Sequence, residues 1–237
     1  MGEVEIVGSG EDLSILCASA LREGLSKVCR VLHQRHSLGS TLLFDTTGGV
    51  LQRALAGAQH DVFAGALDAL QELAEGGLAQ PPVAVGSSRI AIGVCRGQVA
   101  PDTSTVDAFK SALLNARCVA RGDPAAGGTA GKHLAIILDQ LNLTELLKPK
   151  SILRVGGYNV MAEVVAGNAD FGITQSTEIP CVPGAAIGGW LPDALQLTTI
   201  YGVAVSTTAG TTRPASALNE LLQSGEGRAC FRDAGFS

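Results

Sequence analysis

Phe44-Asp-Thr-Thr-Gly-Gly-Val-Leu51 is the stretch on which the reading of this fold turns. Before it, Thr41 to Phe44 is a short apolar run of strand type. Asp45-Thr-Thr-Gly-Gly49 interrupts that run, and Val50 to Ala58 then takes up helical spacing. The same strand, hydroxyl-and-glycine loop, helix order recurs twice. Leu13 to Cys17 leads through Ala18-Ser19-Ala20 into apolar residues at helical spacing (Leu21, Leu25, Val28, Val31, Leu32). Cys118 to Ala120 leads through Gly122-Asp-Pro-Ala-Ala-Gly-Gly-Thr-Ala-Gly131 into a helix over Lys132 to Leu141.

Working outward, the alternation continues. Asp61-Val-Phe63 reads as a strand and Leu67 to Glu75 as a helix closed by Gly76-Gly77. Past Pro81-Pro82, the pattern gives a strand over Arg89 to Cys95 and a helix over Val106 to Leu114 with Thr105 as its N-cap. Ile152 to Val155, Tyr158 to Ala166 and Asp170 to Thr174 repeat the βαβ rhythm; a late strand (Ile200 to Val205) and a short helix (Ser216 to Leu222) follow. The expected fold class is α/β, two-lobed, each lobe a mostly parallel sheet flanked by helices. The expected lobes are residues 1–85 plus 204–237 and residues 86–203, joined by crossing strands, with a ligand site in the cleft between them.

Composition narrows the function. The 237 residues are 46% hydrophobic and only 4% aromatic, so the core must be aliphatic, and 30 glycines imply many tight turns. A net charge of −5 without any basic run excludes a nucleic-acid partner. Six scattered cysteines (Cys17, Cys29, Cys95, Cys118, Cys181, Cys230) form no C-x-x-C pair, so they read as small buried hydrophobes and no metal site is expected. Met1 to Asp12 carries Glu3, Glu5, Glu11 and Asp12 and lacks the basic start of a signal peptide. The chain as written is therefore expected to be cytoplasmic, or periplasmic if an export signal was removed, and monomeric.

The three loops share one chemical logic. A helix N-terminus exposes unpaired N–H groups and the positive end of the helix dipole; glycines let an anion approach the backbone, and hydroxyls add neutral donors. Ser19, Thr46, Thr47, Gly128 and Thr129 are the ligand candidates on these loops. Arg89 could pair a carboxylate bidentately, and Gln175 and Glu178 lie just beyond a strand end. His133, at the start of the helix after the glycine loop, is the leading acid/base candidate, with Glu178 the second. His33 and His36 read as solvated and Asp61 as a structural hydrogen-bonding residue. There is no P-loop, dinucleotide fingerprint or nucleophile elbow, and no cofactor is expected.

From about Leu13 to the C-terminus, these segments resemble the periplasmic molybdate-binding family of type II solute-binding proteins. The motifs that carry the likeness are Phe44-Asp-Thr-Thr-Gly-Gly-Val-Leu51, His60-Asp-Val-Phe-Ala64, Gly122-Asp-Pro-Ala-Ala126 and Asn168-Ala-Asp-Phe-Gly-Ile173. The family's first anion-binding serine would fall at Ala20, and its ligand tyrosine near Thr174 to Gln175, where this chain has neither. Gly127-Gly-Thr-Ala-Gly131, Ile173-Thr-Gln-Ser-Thr-Glu-Ile179 and Gly189-Trp-Leu-Pro-Asp-Ala-Leu-Gln196 are more similar to a divergent branch that includes bacterial aconitate isomerase. The resemblance implies a small anionic ligand, an organic di- or tricarboxylate ahead of molybdate. It leaves two activities open. One is solute binding for an ABC-type membrane transporter; the other is an isomerase that moves a double bond by a 1,3-proton shift.

Overall fold

A computed structural model describes residues 3–9, 12–209 and 212–237; of the acidic start read for an export signal, Met1, Gly2, Gly10 and Glu11 lie outside them. The strands in chain order are β1 (Val4–Val7), β2 (Leu13–Ala18), β3 (Ser40–Asp45), β4 (Val62–Ala66), β5 (Val83–Cys95), β6 (Val119–Gly122), β7 (Ser151–Arg154), β8 (Phe171–Gln175), β9 (Ala185–Trp190) and β10 (Thr198–Val205). The α-helices are α1 (Arg22–His36), α2 (Thr47–Leu55), α3 (Leu67–Glu75), α4 (Val106–Asn115), α5 (Thr129–Gln140), α6 (Thr144–Leu147), α7 (Gly157–Val165), α8 (Arg213–Gln223) and α9 (Gly225–Arg232). The chain divides into two compact units, Met1–Ser87 with Thr199–Ser237, and Ser88–Thr198.

In the first unit β2 pairs in parallel with β3 and β4, while β1 joins β3 and β10 joins β4 antiparallel. Strand alternation sends side chains to two apolar layers. Leu13, Ile15 and Cys17 of β2 face one layer with Leu25, Val28 and Leu32 of α1 and Phe231 of α9. Leu16, one residue out of phase, faces the other with Val50 of α2 and Leu70 and Leu73 of α3. β4 splits the same way, Val62 and Ala64 against Phe63.

In the second unit β6 pairs in parallel with β7 and β8, and β5 pairs antiparallel with both β8 and β9. One face packs Ile90, Ile92, Val119 and Ile173 against Phe109 and Leu113 of α4 and Leu134 and Ile137 of α5. The opposite face is built from small residues, Ala91 and Ala120, under Val160, Met161 and Val164 of α7. Side chains at Gly93 or Gly172 would press into Met161, so glycine there lets α7 lie down on the sheet.

The sheets are thus mixed: β2, β3 and β4 in one unit and β6, β7 and β8 in the other run parallel, while β1, β5, β9 and β10 run against their neighbours. Helix starts also move. α2 begins at Thr47 and not at Val50, because Thr46 Oγ1 accepts from Gly49 N at 3.0 Å and draws both glycines into the first turn. α5 begins at Thr129, three residues before the expected Lys132. Thr105 does cap α4, accepting from Ala108 N at 3.1 Å. All six cysteines are free thiols, but only Cys17, Cys29 and Cys230 are buried; the others are half-buried. Burial pushes the Cys29 thiol up to about 12, so it is a protonated, inert core residue at neutral pH.

His33 and His36 are exposed at the end of α1. Asp61 has the expected structural role: its carboxylate accepts from Ser14 N at 2.8 Å. Beside it, His60 Nδ1 shares a 2.7 Å hydrogen bond with Ser14 Oγ. Burial, followed by the nearby Arg53 charge, lowers the His60 pKa, against an opposing pull from Asp61. The folded state therefore binds fewer protons here than the unfolded chain. Stability is intact above the unfolded value of about 6.5 and is lost as pH falls below it, down through the lowered folded pKa. Thermal unfolding of native protein and a His60→Gln variant should show the native Tm falling more steeply between pH 7.5 and 5. Parallel Tm curves would contradict this assignment.

Candidate functional site

β2 and β3 run in parallel, so their carboxyl ends place Ser19 and the Thr46-Thr47 pair on the same edge of the first unit's sheet. Ser19 opens a 3₁₀ turn (Ser19–Leu21) directly after β2. Thr46 is 4% exposed and Thr47 is 9% exposed, unusual burial for polar loop residues. Thr47 Oγ1 accepts from Ala66 N at 3.3 Å, which ties the start of α2 to the end of β4. Asp45 lies against the same helix start. It accepts from Thr46 N at 2.7 Å, pairs with Arg53 at 2.9 Å, and occupies the space that a side chain at Gly49 would need.

Sequence reasoning missed Arg22, the first residue of α1. Its guanidinium lies over the Phe44 ring, 3.8 Å from the centroid, and is ion-paired with Glu3. The signal available was a lone arginine directly after the first strand–loop, at the carboxyl end of β2.

In the second unit the strand-to-helix loop begins where β6 ends. Asp123 Oδ1 accepts from Ala125 N at 2.9 Å to shape a 3₁₀ turn, Gly127 takes φ +78°, and Gly128 serves as the N-cap of α5. A Cβ on Gly131 would sit 2.9 Å from the carbonyl oxygen of Gly122, so only glycine lets the first turn of α5 press on the strand end. Gln175, the last residue of β8, donates its amide to Thr129 Oγ1 at 3.1 Å.

Thr174 to Glu178 are all buried, five consecutive polar residues at a strand end. Such a run is costly unless each group is bonded. Glu178 Oε1 accepts from Gly157 N at 2.8 Å, and Oε2 accepts from Thr174 Oγ1 at 2.6 Å. Ser176 and Ser88 share a 3.0 Å hydroxyl contact, with Thr177 Oγ1 3.4 Å from Ser88 Oγ. The carboxylate of Glu178 thereby sits on the N-terminus of α7.

The remaining candidates lie elsewhere in this unit. Arg89 is half-exposed, with Nη2 3.0 Å from Asp193 and its guanidinium 5.4 Å from the Trp190 ring centroid. The His133 Nε2 lies 2.9 Å from the carbonyl oxygen of Leu195, an acceptor only, so Nε2 is the donor of that bond and Nδ1 is the ring nitrogen not engaged in it. Among the described residues no group of three or more His, Cys, Asp or Glu could hold a metal ion, and no helix is long and apolar enough to cross a membrane.

Helix N-termini and neutral donors thus stand at the carboxyl ends of parallel strands, the edge at which open α/β sheets take their ligands. The chain belongs to the bacterial extracellular solute-binding protein family, which it matches over residues 13–237. Aconitate isomerase from Pseudomonas sp is 33% identical over 153 residues, covering 65% of this chain and 57% of that protein. The match thus spans little more than half the length of the isomerase. The periplasmic molybdate-binding protein of Azotobacter vinelandii superposes with a TM-score of 0.76 at 17% identity, covering 95% of this chain and 98% of that one. The substrate binding protein of an ABC transporter from Agrobacterium tumefaciens gives 0.72 at 14% identity, with 96% and 80% coverage. These two likenesses are of fold.

A side chain at Gly157 would collide with both Glu178 Oε2 and Thr174 Oγ1. Gly157→Ala should therefore displace the buried carboxylate and cost about 1–3 kcal/mol in denaturant unfolding. A loss below a few tenths of a kcal/mol would show that the carboxylate seat is not under this constraint.

Proposed function

We propose that the protein binds a small organic di- or tricarboxylate and delivers it, as an exported solute-binding protein, to an ABC-type membrane transporter. The observation that carries this reading is the pair of helix starts furnished with neutral donors. Thr46 and Thr47 stand at α2 in one unit, and Gly128, Thr129 and the Gln175 amide at α5 in the other. Helix N–H groups and hydroxyls bind an oxyanion without a lysine and release it again, because no opposite full charge must be separated. Family membership supports a solute-binding role. The preference for carboxylate over a metal oxyanion rests on the absence of the tyrosine near Thr174 and on the likeness to aconitate isomerase.

That likeness also favours a second reading, an isomerase interconverting cis- and trans-aconitate. On it, Thr47 and Thr129 anchor carboxylates, and His133 moves the allylic proton through Nδ1, its Nε2 being committed to Leu195 O.

Calorimetric titration with succinate, citrate, both aconitates, sulfate and molybdate separates these ligand classes. Carboxylates should bind, and Thr47→Val and Thr129→Val should each weaken them about 5- to 30-fold, with Thr47→Ser retaining affinity. Tighter binding of molybdate or sulfate, or unchanged affinity in both valine variants, would overturn the carboxylate reading.

Proton NMR of each aconitate with the protein tests the isomerase. Growth of the other isomer's vinyl signal, abolished in His133→Ala, is the enzyme's signature; its absence alongside binding leaves a transport protein.

A further inference from the structure

Several buried hydroxyls of this protein end on an acceptor of the chain. Ser26 Oγ donates to Glu5 at 2.7 Å, Thr103 Oγ1 to the Trp190 carbonyl at 2.8 Å, and Thr174 Oγ1 to Glu178 at 2.6 Å. Three hydroxyls of the second unit do not. Ser88, Ser176 and Thr177 are 2%, 6% and 2% exposed. Among the described residues, their side chains bond only to one another. Thr177 Oγ1 donates to Ser88 Oγ at 3.4 Å, and Ser88 Oγ lies 3.0 Å from Ser176 Oγ. Each hydroxyl has one proton to donate, so three protons meet two contacts. Whichever of Ser88 and Ser176 donates in their shared contact, the proton of the other has no acceptor among the described residues. A buried O–H without an acceptor is costly, so such a chain calls for an oxygen from outside the fold.

The backbone holds this cluster in place. Ser176 N donates to the Arg89 carbonyl at 2.8 Å, which carries the β5–β8 ladder one step beyond the Ile90–Gln175 pair. Ser176 is the first residue past β8, on the edge where the parallel strands β6, β7 and β8 end. That is the edge at which open α/β sheets take ligands.

Resting on the oxyanion-binding reading above, we infer that Ser176 is a ligand-binding residue whose hydroxyl donates to a carboxylate oxygen, with Ser88 and Thr177 behind it as positioning residues. The order Thr177 to Ser88 to Ser176 leaves the uncommitted proton on the most exposed of the three. Each donation polarises the next hydroxyl, so the last O–H is a stronger donor than a lone serine. A strong neutral donor favours an ionised oxygen over a neutral one, which matches a carboxylate.

The test is calorimetric titration of citrate, succinate and both aconitates into the native protein, Ser176→Ala, Ser88→Ala, Thr177→Val and Thr177→Ser, with the fold of each variant checked by circular dichroism. The inference predicts a graded loss of affinity: about tenfold or more in Ser176→Ala, about three- to tenfold in Ser88→Ala, and less in Thr177→Val. Thr177→Ser, which keeps the hydroxyl, recovers most of that last loss. The two serine positions carry the test independently, so misfolding of one variant leaves the other decisive. Native affinity in the folded serine variants would mean that the chain ends on water; it would overturn the inference while sparing the oxyanion reading. An equal loss in all four variants, Thr177→Ser included, would assign the cluster to folding alone and overturn it too. If the native protein binds none of these carboxylates, the carboxylate reading fails and the inference with it.

Discussion

Helix starts in this protein are pressed onto strand ends more closely than a Cβ would allow. Gly131 meets the Gly122 carbonyl, Gly49 makes room for Asp45, and Gly157 makes room for Glu178. Each contact puts first-turn N–H groups, which have no partner inside their helix, at the edge of a sheet. The rest follows from that placement. The threonines at 46, 47 and 129 cap or extend these starts, and the flanking strands need a core on both faces to hold them rigid.

The chemistry is governed by the same constraint. Donors are backbone amides, hydroxyls and one carboxamide, and where carboxylates of the chain enter these regions they occupy helix starts themselves. Asp45 is neutralised by Arg53, while Glu178 is held by Gly157 N and Thr174. Arg89, which sequence alone offered as an anchor, is turned to Asp193 and Trp190.

The elements with strong apolar periodicity were legible from sequence, because burial on two faces leaves a period that survives in the letters. α3 has the expected bounds, and Thr105 caps α4 as read. β1 was missed because Glu5 breaks its apolar run, and β9 because two of its six residues are glycine. α9 begins Gly225-Glu-Gly227, a turn signal overridden by the packing of Phe231 on α1 at Gly24. The loops that bear the candidate ligand residues were visible as Gly/Thr clusters. Their internal bonds were not, since Glu178 on Gly157 spans 21 residues and Gln175 on Thr129 spans 46. Local pattern cannot report such distant pairs.

The central claim is that helix-start amides hold the anion, and backbone ¹⁵N–¹H NMR during a citrate titration measures it most directly. The account predicts saturable downfield shifts at Thr47, Gly48 and Thr129, larger than elsewhere, with Gly157 little moved because Glu178 already bonds its N–H. Binding that leaves those three amides unmoved while shifting Gly157, or shifting only surface residues, would contradict it.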